Sequence, residues 1–229
     1  MESTLDSMKD EMIGVGKRVY DRGFVASNDG NISLRLDERS VLITPTGVSK
    51  GFMKRDDLII IDMDARLIEG KRKPSSESNM HVQIYKDRPD VNGICHAHPP
   101  YATGFAVAGI PLDKMILPEF IIAVGRVPVV EYGTTGTYEL YGAMAKYIQD
   151  YDAFLLANHG ATTVGSSVLS AYHKMETLEH AAKIQFLAHQ LGRINELNKK
   201  QVSQLISLRE KFGIRKDVGL KPVRRPRRK

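Results

Sequence analysis

Three histidines and one acid in this 229-residue chain have the types and spacing to hold a metal ion. His96 and His98 are separated by one residue in Ile94-Cys95-His96-Ala97-His98. Alternate side chains of an extended strand share a face, so the two imidazoles project together while Cys95 and Ala97 point the other way. His159 follows a separate apolar run, Leu155-Leu156-Ala157-Asn158-His159-Gly160, and Glu77 closes Pro74-Ser75-Ser76-Glu77 at the start of an expected helix. Three imidazole nitrogens with one exchangeable position can hold a catalytic divalent cation. Taken alone, a His-x-His pair serves as well in a hydrogen-bonded core. His81, His173, His180 and His189 fall inside expected helices; His81, four residues after Glu77, shares a helix face with it and is the next candidate ligand.

Three stretches could hold an anion: Gly30-Asn31, Thr46-Gly47 and Ser75-Ser76. Each offers hydroxyls, an amide or open backbone N–H groups, and a helix N-terminus at Ser75-Ser76 adds the favourable end of the dipole. Lys71, Arg72 and Lys73 lie just upstream. Each stretch alone also reads as a turn or a helix cap, and no Walker or dinucleotide glycine pattern is present.

The elements that must position these groups follow from periodicity. Leu5, Met8, Met12, Val15 and Val19 recur at helical spacing, predicting a helix over 3–22. Ile32, Leu34 and Leu36 alternate as a strand, with Val41–Ile43 as its hairpin partner. Leu58–Ile61 and Leu67-Ile68 read as strands, and a helix capped by Ser75 or Ser76 runs to Arg88-Pro89. Strands are expected over 92–97, 127–132, 153–157 and 161–164. Helices are expected from Pro99-Pro100 to Ala108 and over 137–150, 167–191 and 199–212. Leu117 to Val124 fits helix or strand. Strands joined by short turns, with helices between, predict a mainly antiparallel or mixed sheet covered by helices.

The totals narrow the class. The chain is 42% hydrophobic and 26% charged, ordinary for a globular protein of one domain. Its single cysteine excludes an internal disulfide and suits a reducing compartment. No apolar run nears the roughly 18 residues that span a bilayer, and Met1–Asp6 lacks the order of a secretion signal, so a cytoplasmic protein with no membrane partner is expected. From Gly213 onward there are eight basic residues and one acid, a net +7, so the rest of the +6 chain carries −1. A basic, flexible tail over 213–229 following a single domain over 1–212 is the expected organisation. No aromatic interleaving or groove-reading motif accompanies the tail, so nucleic acid is not the expected partner.

Taken in order, Gly30-Asn31, Thr44-Pro45-Thr46-Gly47, Pro74-Ser75-Ser76-Glu77, His96-Ala97-His98 and Asn158-His159-Gly160 resemble the class II aldolase/adducin family, most of all its fuculose-phosphate aldolases. The match runs from about Gly30 to about Ala182. The resemblance implies a three-layer α/β/α sandwich with a central, largely antiparallel sheet. It implies zinc (manganese or iron being possible) on His96, His98 and His159, with Glu77 as the acid/base that contacts the metal when substrate is absent. Asn31, Thr46, Gly47, Ser75 and Ser76 would hold the substrate phosphate. The implied enzyme is a metal-dependent aldolase and a cyclic homotetramer with active sites at subunit interfaces. It would cleave a ketose 1-phosphate, such as fuculose 1-phosphate or a deoxyribulose 1-phosphate, to dihydroxyacetone phosphate and an aldehyde.

The sequence departs from that pattern at Leu117-Pro118-Glu119-Phe120, where the fuculose-phosphate enzymes carry an interface tyrosine that handles the aldehyde-side proton. Glu119 stands there instead; it takes over the proton, or Tyr132 does, or Glu119 is a surface residue. An acid at this place also resembles the methylthioribulose-1-phosphate dehydratases of the family. The ribulose-phosphate 4-epimerases carry Asp in place of Glu77, and the adducin heads lack the full histidine set.

Overall fold

The computed structural model describes residues 4–215 and 217–223. Helix α1 (Thr4–Asp21) buries Met12, Val15 and Val19. Strands β1 (Asn31–Arg35), β2 (Ser40–Ile43), β3 (Ile59–Asp62) and β4 (Leu67–Glu69) follow, then helix α2 (Ser78–Asp87) and strand β5 (Gly93–Ala97). Helices α3 (Pro100–Val107) and α4 (Pro118–Ala123), strand β6 (Val129–Val130) and helix α5 (Tyr138–Met144) lead to the hairpin of β7 (Ala153–Leu156) and β8 (Gly160–Gly165). Helices α6 (Val168–Gln190) and α7 (Lys199–Leu208) come last.

All eight strands form one sheet in the order β4-β3-β2-β1-β5-β8-β7-β6. Every pair is antiparallel except β6 with β7. Strand period two sorts the side chains into two separate cores. On one face Ile32, Leu34, Leu42, Cys95, Ala97 and Leu155 pack with Met12, Val15, Phe105, Met175 and Leu178, from α1, α3 and α6. On the other Val41, Ile43, Ile94, Phe154 and Val164 pack with Met80, Ile84, Tyr85, Leu140 and Met144, from α2 and α5. The fold is therefore the expected three-layer sandwich.

Several boundaries differ from expectation. The predicted strand over 127–132 pairs only at Val129–Val130, with Val127 bridged to Leu112. Helix α5 stops at Met144 and continues as turns to Asp150. Neither Ser75 nor Ser76 caps α2: Glu77 is the N-cap residue, and its carboxylate makes no cap hydrogen bond.

The segment from Gly213 is not a free tail throughout. Val218 is buried, and Gly219 N–H donates to Asp150 O while Gly219 O accepts from Arg126 N–H. The buried Arg209 guanidinium donates to Ile121 O and Val218 O. Arg215 pairs with Asp90 and Asp217, and Lys221 with Asp150. The charge count could not show this, because the partners lie in other parts of the fold. Lys216 and the basic cluster 224–229 lie outside the described residues. Among the described residues no helix is long and apolar enough to cross a membrane.

Candidate metal centre

The register of the central strands builds the site. Asn31 on β1 stands opposite His96 on β5, and His96 stands opposite Thr162 on β8. The three share one row on the α2 side of the sheet. His98 lies just past the end of β5, where its backbone N–H donates to Phe24 O. His159 sits in the three-residue turn between β7 and β8. Asn158 adopts φ 55° there, a left-handed conformation that asparagine tolerates better than most residues. Gly160 matters because a Cβ there would lie 2.5 Å from His98 Cδ2 and 2.6 Å from Ala97 O.

These elements bring His96, His98 and His159 together, with one nitrogen from each lying within 4.8 Å of the others. His98 Nε2 is 3.2 Å from His96 Nε2. Glu77 reaches in from the foot of α2, with Oε2 3.3 Å from His96 Nε2 and Oε1 3.4 Å from His159 Nε2. Asp29 Oδ2 lies 3.6 Å from His98 Nδ1.

Protonation follows from the partners. His96 Nδ1 is 2.9 Å from Ala161 O, which can only accept, so that nitrogen carries the proton and Nε2 is bare. Burial pushes the His96 ring down to about 3 despite Glu77, and burial also lowers His159. Burial alone would raise the Glu77 carboxyl; on acidification the His96 and His159 rings, once protonated, and the Asn31 amide outweigh it and hold it below its ordinary value. At neutral pH Glu77 is therefore a carboxylate beside the neutral His96 and His159 rings.

That is the protonation state a divalent cation requires. A bare ring nitrogen faces an acceptor-only carboxylate oxygen, and Glu77 Oε1 and His159 Nδ1 are buried with no hydrogen-bond partner. The donor set fits a metal ion held by His96, His98 and His159, with Glu77 beside it. His81 is not part of the cluster; its ring turns to Asn31 and Ser33.

The other predicted site residues divide. Pro45 pairs with Pro74 and Thr46 N–H donates to Lys73 O, so the Thr46-Gly47 and Ser75-Ser76 loops lie side by side. Thr46, Gly47 and Ser76 are exposed, and Ser75 Oγ accepts from Glu77 N–H at 3.3 Å. Asn31 is 4% exposed and its amide lies between Glu77 and His81. Arg72 is paired with Asp57. Glu119, exposed in the first turn of α4, lines a cleft with Arg22, Glu176, His180 and Lys183; none of the three clustered imidazoles lines that cleft. Tyr132 is exposed beyond β6.

Known proteins resemble this chain in sequence and fold. The family profile described as "Class II Aldolase and Adducin N-terminal domain" matches residues 10–186. A protein of Methanococcus maripaludis named L-fuculose phosphate aldolase is 36% identical over 181 residues, 79% of this chain and 97% of its own. One of Haemophilus influenzae named 3-oxo-tetronate 4-phosphate decarboxylase is 33% identical over 207 residues, 87% of this chain and 96% of its own. A solved L-fuculose 1-phosphate aldolase superposes with a TM-score of 0.80 at 34% identity, covering 93% of this chain and 99% of that one. With its histidine cluster seated at the end of such a sheet, the chain belongs to the class II aldolase and adducin family.

Proposed function

We propose that the protein is a zinc-dependent aldolase that cleaves a ketose 1-phosphate to dihydroxyacetone phosphate and an aldehyde. The observation that carries this reading is the placement of Glu77: one carboxylate oxygen is held by Asn31, and the other is unpartnered beside His159. When bound, the cation supplies a Lewis acid that stabilises negative charge developing on the substrate's carbonyl side. In the cleavage direction the carbon–carbon bond breaks and Glu77, having picked up a proton, would deliver it from Oε1 to the carbon left next to that carbonyl; in the reverse direction Oε1 would remove it, and Asn31 keeps the carboxyl aimed either way. Thr46, Gly47, Ser75 and Ser76 grip the phosphate, which does not react and so positions the part that does. Asn31 has one amide hydrogen left to join that grip.

The reading extends to a cyclic tetramer in the cytoplasm whose neighbouring subunits complete the site. That supports Glu119, or Tyr132, as the group that handles the aldehyde-side proton, since both are exposed in the single chain. A second reading has specific support from the relative named a decarboxylase. A 3-oxo acid that loses carbon dioxide leaves the same carbanionic charge next to a ketone, which the same residues could protonate. A panel of ketose 1-phosphates and 3-oxo-tetronate 4-phosphate, scored for aldehyde, carbon dioxide and dihydroxyacetone phosphate, separates the two. Aldehyde release from a ketose 1-phosphate supports the aldolase; carbon dioxide together with dihydroxyacetone phosphate from the 3-oxo acid, with no aldehyde from any ketose, supports the second reading; no product from any member contradicts both.

A further inference from the structure

Behind Glu77 lies a buried file of four side chains drawn alternately from β1 and α2. Asn31 Nδ2 donates to Glu77 Oε2 at 2.6 Å, and Asn31 Oδ1 lies 2.5 Å from His81 Nε2. His81 Nδ1 lies 2.6 Å from Ser33 Oγ, which lies 2.8 Å from Tyr85 OH. All four side chains are buried. Two periods make the file possible. Two residues along a strand advance about 6.6 Å and four along a helix about 6 Å. Asn31 and Ser33 therefore keep step with Glu77, His81 and Tyr85.

Only one arrangement of protons satisfies the whole file. The Glu77 carboxylate accepts and cannot donate, so Asn31 must turn its NH2 toward it and its carbonyl toward His81. That carbonyl needs a donor, so His81 carries its proton on Nε2. Burial pushes the His81 ring down to about 4, leaving it a single proton at neutral pH. Nδ1 is then bare and accepts from Ser33, whose oxygen accepts from Tyr85. Burial raises the Tyr85 phenol, so it keeps that proton. The phenol's other acceptor, Asn92 O, is farther away at 3.5 Å.

We propose that His81 is a positioning residue for the metal centre: its Nε2–H locks the Asn31 amide, and the locked amide holds Glu77 Oε2 so that Oε1 stays turned toward the site. An unlocked amide can flip and set a carbonyl against the carboxylate, which then swings away. This rests on the reading of Glu77 given above, but its test is separate. His81 touches no atom of the expected substrate and is not one of the clustered ligands.

Two measurements on the full chain test it. In metal-free protein labelled with 15N-histidine, at neutral pH, the His81 ring is expected to show a protonated Nε2 and a bare Nδ1. Zinc affinity is then measured by competition with a chromophoric chelator. His81→Asn keeps an acceptor for Ser33 but has no donor that reaches Asn31; His81→Gln places an amide N–H where Nε2 stood. Asn is expected to weaken zinc binding about 10-fold and Gln by no more than about 3-fold, on the scale of groups that orient a ligand from behind. A ring protonated on Nδ1 overturns the proposal, and so does a Gln variant weakened as much as the Asn variant. Neither readout involves turnover. If Glu77→Gln shows that another residue is the base, the tautomer and the zinc affinities still decide the role of His81.

Discussion

Asn31 and His96 face each other across β1 and β5, and both converge on the same oxygen of Glu77: Asn31 Nδ2 at 2.6 Å and His96 Nε2 at 3.3 Å. The two contacts differ in kind. The amide donates a proton to Oε2, whereas the ring nitrogen has none to give, because its only proton is committed to Ala161 O. The carboxylate is thus tethered from one side and set against a lone pair on the other, an arrangement that a cation relieves.

Glu77→Gln removes the carboxylate proposed as acid/base while keeping an oxygen for Asn31. The variant is expected to retain stoichiometric metal and to lose turnover by about 10²- to 10⁴-fold, the usual worth of a positioned proton-transfer group. Metal analysis and product release on the same sample check this. Near-parental turnover would move the base to another residue.

Gly160→Ala tests how tightly the β7–β8 turn confines the site. The added methyl would lie 2.5 Å from His98 Cδ2, so the ring has to shift. A loss of about 1–3 kcal/mol in stability is expected from the overpacking, together with about 10-fold weaker zinc binding from the displaced ligand. Chemical denaturation and chelator competition read the two effects independently.

The metal-free chain should lose stability in mild acid. Burial holds His81 at about 4 and His96 at about 3, below the ordinary 6.5. Both rings regain that value when unfolded, so between pH 6.5 and about 4 the unfolded chain binds protons that the folded chain refuses. Stability therefore falls as pH falls through that window, by about 4 kcal/mol between pH 7 and 5 for the two rings together. Urea midpoints at several pH values with chelator present measure it; a flat profile would mean that the rings are not buried in neutral form.

Cutting the chain after Gly213 removes Val218 from the core and takes the Val218 O acceptor from the buried Arg209 guanidinium. The cost should exceed the roughly 1–3 kcal/mol of one unsatisfied buried donor, since this one is charged. Thermal melts of this truncation against the full chain measure the contribution of the docked segment.

How much of this was legible in the sequence depends on whether local spacing or the assembled fold decides. His96 and His98 could be placed together because strand period alone puts them on one face. The strands expected over 153–157 and 161–164 leave His159 in the short turn between them. Apolar alternation predicts a mainly antiparallel or mixed sheet covered by helices; the three-layer sandwich follows from the family resemblance. His81 was read as a spare ligand because helical spacing showed that it shares a face with Glu77; it could not show that β1 lies across that face with Asn31 and Ser33 as partners. The cap of α2 was misplaced because the Glu77 carboxylate turns toward Asn31 and the imidazoles instead of the helix end. The docking of Val218 and Arg215 was hidden in a run that composition alone marks as a solvated tail.

The most direct test is to purify the chain, count its metal, and assay release of dihydroxyacetone phosphate from ketose 1-phosphates before chelation, after it, and after zinc is returned. The account predicts one zinc per chain, lost in His96→Ala, and product release that disappears with the metal and returns with it. Equal product release from the stripped protein, or a chain that binds no stoichiometric divalent ion, would contradict it.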